Sequence, residues 1–277
     1  MIASLHLADV GLPTALRLLR RDRLDPLETH GLRYAQITIA APLSDRLLPR
    51  PMPGRVGLIA AWEGDAAIDD FLGGHPLAAR FAHGWHVRLR PTRVFGAWPQ
   101  LEGLPAEEEP MDDAEPAAAL TLGRLRLSQT VRFLRASAAA EGLAVRDRAL
   151  LASTGLARPP GLVATFSLWR SVGAMRAYAR GEHDTAHRAA VRAHSARPFH
   201  HESAFVRFRP YGAQGDWDGH NPLAGSEPEA LAVGSRASQP RTPVGRHSRA
   251  IIGRRGASDN HAAAADRLPR EAVQHMC

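Results

Sequence analysis

The sequence predicts an α+β protein in which two tandem ferredoxin-like (β-α-β-β-α-β) repeats pack as an intramolecular α/β barrel, followed by a disordered C-terminal tail. The first observation behind this prediction is an internal repeat. Residues 88–91 (Arg-Leu-Arg-Pro) and Trp98 recur as 207–210 (Arg-Phe-Arg-Pro) and Trp217, displaced by 119 positions. The second observation is that strand-like and helix-like segments follow one another in the same order in both copies.

Further matches support the same division of the chain. Leu5 corresponds to Leu120 at a displacement of 115, and Trp62 corresponds to Trp169 at a displacement of 107. The changing displacement indicates insertions and deletions of the kind that loops accommodate. The predicted parts are a first repeat (1–103), an acidic, proline-containing linker (104–116), a second repeat with the expected site (117–223) and a tail (224–277).

Strands are predicted where β-forming residues dominate or where apolar and polar residues alternate. They are expected at 3–7, 34–41, 56–62 and 86–90 in the first repeat, and at 118–122, 162–169 and 204–209 in the second. The remaining strand falls somewhere within 143–156, where the pattern is weakest. A four-stranded unit leaves one sheet face to be covered, so we expect the two repeats to enclose a ligand cavity.

Two helices are predicted in each repeat. Pro13 stands where a proline opens a helix, and Leu12, Leu16 and Leu19 form the expected apolar face of that helix. The second helix is expected to begin near Asp65, which is a good N-cap residue. The matching helices of the second repeat are expected at 130–140 and 171–178.

Composition narrows the class of protein. No apolar run reaches the roughly 18 residues of a membrane span, and no signal segment is recognisable, so we expect a soluble, cytoplasmic protein. The single cysteine, Cys277, excludes an intramolecular disulfide framework and a cysteine metal cluster. All 35 basic residues are arginines that alternate with acidic residues, so the net charge of +7 does not predict nucleic-acid binding.

Histidines are concentrated in the second repeat, while the common glycine-rich nucleotide, serine-hydrolase and zinc-protease motifs are absent from the sequence. His183, His187 and His194 would share one face of a continuous helix. A zinc site on that face stays an alternative, because it would need a further ligand.

The last predicted strand begins with a second group of polar residues, His200, His201 and Glu202. In one interpretation these residues are a solvated loop. In the other, one histidine faces the cavity while Glu202 or Arg207 positions a polar group of a ligand. Adjacent residues of a strand point to opposite faces, so only one of the two histidines can face the cavity.

Apolar residues of the second repeat admit two interpretations. Trp169, Met175 and Phe205 are expected in a core, because apolar residues at the period of their element are usually packed. A cavity for a flat or elongated apolar ligand needs the same residue types. Composition does not separate these two interpretations.

Four features of the second repeat form a familiar pattern: 164–169 (Ala-Thr-Phe-Ser-Leu-Trp), 175–179 (Met-Arg-Ala-Tyr-Ala), His187, and 202–208 (Glu-Ser-Ala-Phe-Val-Arg-Phe). They resemble the spheroidene monooxygenase family of carotenoid biosynthesis, within a similarity that spans 1 to about 223. The resemblance implies a dimeric α/β-barrel type of fold and a haem-dependent monooxygenase. It also implies an apolar, carotenoid- or isoprenoid-like substrate, which leaves open a peripheral membrane contact for substrate access.

The resemblance implies roles for individual residues and for partners. His187 would be the axial ligand of the haem iron, and electrons would come from a ferredoxin-type donor. Arg207 and Glu202 would contact a haem propionate and orient the substrate. The remaining residues of the implied cofactor site are His200, His201, Trp169, Met175 and Phe205. The alternative is a non-catalytic ferredoxin-like barrel that binds haem or a hydrophobic small molecule, since a fold does not dictate a function.

Overall fold

The computed structural model describes residues 1–21, 24–46, 52–101, 104, 110–180 and 198–225. Its strands form one closed, antiparallel barrel in the order β1-β3-β2-β6-β7-β5-β8-β4. In chain order these strands are β1 (Ile2–Asp9), β2 (Leu32–Ala41), β3 (Arg55–Trp62), β4 (Trp85–Ala97), β5 (Ala117–Leu125), β6 (Leu150–Arg158), β7 (Leu162–Trp169) and β8 (His200–Gly215).

Five α-helices accompany the strands in the described part of the chain. They are α1 (Leu12–Arg20), α2 (Asp65–Gly74), α3 (Ala78–Phe81), α4 (Thr130–Ala144) and α5 (Val172–Arg180), with short 3-10 turns at Pro99–Leu101 and Leu127–Gln129. Within the described ranges, none of the helices combines the length and the apolar character needed to cross a membrane.

Alternation along the strands builds an inner core and two outer clusters of buried residues, one of which contains Trp169, Met175 and Phe205. Side chains such as Leu5, Val87, Leu120 and Phe166 fill the inside of the barrel. On the outer face of β1 and β3, a second cluster forms against α1, α2 and α3 and includes Trp62. The closed ladder leaves no unpaired sheet edge among these strands.

The predicted apolar face of α1 is wrong for Leu12 and Leu16, whereas Leu19 packs partly buried against the outer cluster. Ala15 and Leu18 are the buried residues of this helix, whereas Leu12 and Leu16 are 47% and 44% exposed. The small side chain of Ala15 allows the helix to approach the sheet closely, which rotates the contact face away from the leucine stripe.

Helix α2 begins at Asp65, as predicted, but Asp65 is not its N-cap residue. Gly64 is the N-cap of α2, and the Asp65 carboxylate instead accepts hydrogen bonds from Arg88 Nη1 at 2.7 Å and Tyr211 Oη at 3.0 Å. The weakly predicted strand lies at Leu150–Arg158, because α4 continues to Ala144 and takes up the residues before it.

The end of the predicted linker is tied to the second half of the barrel. Arg209 Nε donates to Glu115 Oε2 at 2.8 Å, and Arg176 Nη1 donates to Asp113 Oδ1 at 2.7 Å. The predicted tail lies outside the described residues from 226 onward.

Candidate functional site

A cleft opens on the outer face of the second half of the barrel, between the sheet and helices α4 and α5. Its empty volume, including the part open to solvent, is about 720 Å³. The cleft is lined by Leu43, Ala119, Thr121, Ser137, Glu141, Ala144, Ser153, Thr165, Ser167, Trp169, Met175, Tyr178, Ala179 and Phe205.

One wall of the cleft is aromatic and apolar. The rings of Trp169 and Tyr178 are 5.1 Å apart between centroids, and Met175 lies on the same helix as Tyr178. Trp169 Nε1 donates to Ser167 Oγ at 2.9 Å, so the indole nitrogen is satisfied and the ring is held in place. Phe205 extends the wall from β8.

The floor of the cleft is a row of small hydroxyl side chains on the strands. Thr121 of β5 pairs across the ladder with Thr165 of β7, and both line the cleft. At the repeat displacement of 107, Thr165 and Ser167 correspond to Leu58 and Ala60, which are both fully buried under the first-half helices. Space that is apolar core in the first half is therefore an open, partly polar cleft in the second half.

Glu141 of α4 adds an ionisable group to this cleft. Burial raises the pKa of its carboxyl group to about 7, and the hydrogen bond from the Ser44 backbone N–H at 3.4 Å lowers that pKa by less. A carboxyl group that titrates near neutral pH within a cleft is typical of a proton-transfer residue. Sequence reasoning missed Glu141, although it is the only acidic residue of α4.

The structure brings three of the predicted site residues together. Trp169, Met175 and Phe205 all line the cleft. Arg207 lies two residues beyond Phe205 on the same outer face of β8, where it pairs across the ladder with Ala119 and is 3% exposed.

Other predicted site residues lie elsewhere. His200 is buried on the outer face against Phe133, at 5.2 Å between ring centroids, and its ring covers the position where Gly123 has no side chain. His201 lines a different cavity, at one mouth of the barrel. Glu202 accepts a hydrogen bond from Arg124 Nε at 3.0 Å. The structure therefore separates His200, His201 and Glu202 from the cleft that contains Trp169.

The described residues allow a partial test of haem binding. Trp169, Met175 and Phe205, the predicted contacts of a macrocycle, pack together in a buried cluster, and the described lining of the cleft contains no histidine. The predicted axial ligand, His187, and the alternative zinc residues His183 and His194 lie outside the described residues. In the part of the chain that the structure describes, no group of three His, Cys, Asp or Glu side chains could hold a metal ion.

Solved structures of low similarity include a monooxygenase-like protein from Listeria innocua and an anthrone oxidase-like protein. The first has 10% identity and a TM-score of 0.26, covering 74% of this chain and 93% of its own. The second has 12% identity and a TM-score of 0.31, covering 77% and 92%. Both TM-scores are below 0.5, so these likenesses carry no weight for the fold or the activity.

Sequence relatives are more informative, although no protein-family model matches the chain. A spheroidene monooxygenase from Rubrivivax gelatinosus is 36% identical over 175 residues, which cover 61% of this chain and 66% of the relative, just under two thirds. A spheroidene monooxygenase from Rhodobacter capsulatus is 31% identical over 183 residues, which cover 64% of this chain and 75% of the relative. The chain therefore belongs to the spheroidene monooxygenase family of oxygenase enzymes.

Proposed function

We propose that the chain is a monooxygenase that inserts one oxygen atom into an apolar, carotenoid- or isoprenoid-like molecule bound in the cleft. The observation that carries this proposal is the lining of the cleft, where the aromatic wall of Trp169 and Phe205 faces hydroxyl groups and the Glu141 carboxyl group. An apolar site with a few convergent polar groups is typical of small-molecule binding. The relatives in the family are named for the oxidation of spheroidene.

We further propose haem as the cofactor, and His187 would hold its iron. Bound haem would supply the iron that binds and activates O₂. Trp169, Met175 and Phe205 would contact the flat macrocycle, and the Arg207 guanidinium would pair with a propionate. The resemblance to the family and the apolar rings in the lining of the cleft support this proposal.

The reaction also needs electrons and protons. Insertion of one atom of O₂ into a C–H bond consumes two electrons and two protons and releases one water molecule. The electrons would come from a ferredoxin-type donor. Glu141 is the proposed proton donor, because its carboxyl group lies in the cleft and its pKa of about 7 keeps a neutral fraction at neutral pH.

Haem binding is tested by absorption spectroscopy of the purified chain supplied with haem. We expect a Soret band that is lost in His187→Ala and retained in His201→Ala, because His201 lies at the barrel mouth and away from the cleft. Absence of the band in the parent protein would exclude haem in the form proposed. A band without oxidation of spheroidene would favour the non-catalytic, haem-binding alternative.

Glu141→Gln should lower the rate of spheroidene oxidation by about 10²-fold or more, since general acid–base groups typically contribute that much. In the parent protein the rate should fall above pH about 7, where Glu141 loses its proton. This decrease with pH should be absent in Glu141→Gln. The control is Glu63→Gln, because Glu63 is an exposed partner of Arg33. An unchanged pH profile in Glu141→Gln would remove Glu141 from the mechanism.

We also infer that the two halves of the barrel are tandem ferredoxin-like repeats. The strand order β4-β1-β3-β2 in the first half is the same as β8-β5-β7-β6 in the second. Trp62 and Trp169 occupy equivalent positions at the ends of β3 and β7. The shared order of strands and helices supports an origin of both halves from one unit.

A further inference from the structure

A second cavity opens at one mouth of the barrel. Its empty volume is about 950 Å³. Tyr34 and Gln36 of β2, Arg124 of β5 and His201 of β8 contribute to its lining. Leu120 and Leu122 of β5 belong to the inner core of the barrel. Arg124 is two residues beyond Leu122, so its side chain lies on the same, inner face of the strand. The mouth cavity therefore lies on the inner side of the sheet, whereas the cleft lies on the outer side.

The charge in this cavity is positive. Arg158 Nη1 donates to the Ile37 carbonyl at 3.0 Å and Nη2 donates to the Leu19 carbonyl at 2.9 Å, and Arg158 has no carboxylate partner among the described residues. Arg124 is paired with Glu202, but no acidic side chain belongs to the described lining. A partly buried guanidinium without a counter-charge favours a bound anion.

Two neutral groups in the cavity, the Trp98 indole and the Tyr34 hydroxyl, are hydrogen-bond donors. Trp98 Nε1 is buried and forms no hydrogen bond of normal geometry, although its proximity lowers the pKa of Tyr34. Burial, the larger effect, raises the pKa of Tyr34 to about 12, so its hydroxyl group keeps its proton at neutral pH. Buried donors of this kind usually have an acceptor in the functional state.

Apart from Gln36 and His201, the rest of the lining is apolar. Leu125, Leu162, Pro159 and Pro160 surround the polar groups. A purely inorganic anion would leave this surface in contact with water. A molecule with one charged end and an apolar body would satisfy both parts of the cavity.

We propose that the barrel mouth is a second ligand site, which binds the carboxylate or phosphate group of a small molecule with an apolar body. Arg158 and Arg124 bind the oxyanion, Tyr34 and Trp98 donate hydrogen bonds to it, and Leu162 contacts the apolar body. The two oxyanions share the same recognition chemistry, because both accept forked hydrogen bonds from arginine. This site does not depend on the proposed oxygenase activity, because it lies on the other side of the sheet.

The test uses the whole chain labelled with ¹⁵N-tryptophan, which gives one indole signal for each of its five tryptophans. Trp98 reports on the barrel mouth and Trp169 on the cleft. We expect octanoate or octyl phosphate to shift the Trp98 signal, assigned with Trp98→Phe, while octanol leaves that signal unchanged. A response confined to one of the two oxyanions identifies which group the site prefers.

Arg158→Gln should weaken octanoate or octyl phosphate binding at Trp98 by about tenfold or more, through loss of a charge-assisted hydrogen bond. Tyr34→Phe removes only a hydroxyl group and should also weaken binding, which keeps the test valid if Arg158→Gln is unstable. Arg146→Gln is the control, because Arg146 is exposed and pairs with Asp45 at 3.2 Å.

Several outcomes would overturn the proposal. An equal shift of Trp98 by octanol would show an apolar site without oxyanion recognition. Inorganic phosphate that bound as tightly as octyl phosphate would remove the role of the apolar body. A response at Trp169 alone would place both probes in the cleft, and would support the cleft as a ligand site independently of the barrel mouth.

Discussion

Replacement of Thr165 by tryptophan is expected to reduce kcat/KM for spheroidene by about 100-fold or more, because the indole ring would fill the cleft. Thr165 lies in the middle of β7, between Thr121 of β5 and Gly155 of β6 in the ladder, and its side chain lines the cleft floor. The new ring would extend into open space instead of a packed core, so the fold should tolerate it better than an overpacked interior would.

Two controls separate blocking of the cleft from other effects of the Thr165→Trp change. Val131→Trp adds the same side chain to α4 at a position that is 58% exposed, and it should leave kcat/KM unchanged. Thr165→Val keeps the size of the side chain and removes the hydroxyl group, so it should have a smaller effect than Thr165→Trp. Thermal unfolding checks the fold of each variant. Spheroidene oxidation at the parental rate by folded Thr165→Trp would show that the substrate binds elsewhere.

Local periodicity predicted seven of the strands because alternation and β-forming residues are visible within a few positions. The equivalence of Trp62 and Trp169 also holds in space, since each ends the strand before the second long helix of its half. The pairs that close the barrel, β2 with β6 and β4 with β8, join distant parts of the chain. No local pattern encodes such pairs, so the closure was inferred only from the repeat.

The candidate site was harder to predict because it depends on burial and on strand irregularities. A register shift between Arg124 and Leu125 of β5 interrupts the alternation of side chains at the start of β8. His200 and His201 lie at this irregularity and line different parts of the molecule. The pKa of Glu141 depends on burial that no sequence pattern shows. Comparison of Thr165 with its repeat equivalent Leu58 could have located the cleft, since a hydroxyl group replaces a core leucine.

His6 makes the first half of the barrel sensitive to acid. Its ring is fully buried on the outer face of β1, with Nε2 at 2.9 Å from Ser4 Oγ and with Nδ1 lacking a hydrogen-bond partner among the described residues. Ser4 Oγ also accepts the hydrogen bond of Trp62 Nε1 at 2.8 Å. Burial, the largest effect, and the nearby His86 and Arg88 together lower the pKa of His6 to about 3.

This lowered pKa determines how stability changes with pH. Because the unfolded chain binds a proton near pH 6.5 and the folded protein only near pH 3, stability is complete above pH 6.5 and is lost as the pH falls toward 3. At about 1.4 kcal/mol per unit, the full loss approaches about 5 kcal/mol. Other groups also act in this window: His86, Glu115 and Asp218, whose pKa values are lowered, act in the same direction, and Glu141, whose pKa is raised, acts in the opposite one.

We compare how steeply the free energy of unfolding changes with pH in the parent and in His6→Phe. The contributions of the other titrating groups cancel in this difference. Between pH 6.5 and 5, the free energy of unfolding of the parent should fall more steeply than that of His6→Phe, by up to about 1.4 kcal/mol per pH unit. Urea unfolding at a series of pH values measures both slopes. His30→Phe is the matched control and should retain the parental slope, because the His30 side chain is 82% exposed beside Asp70. Equal slopes in the parent and His6→Phe would show that His6 gains its proton in the folded protein as readily as in the unfolded chain.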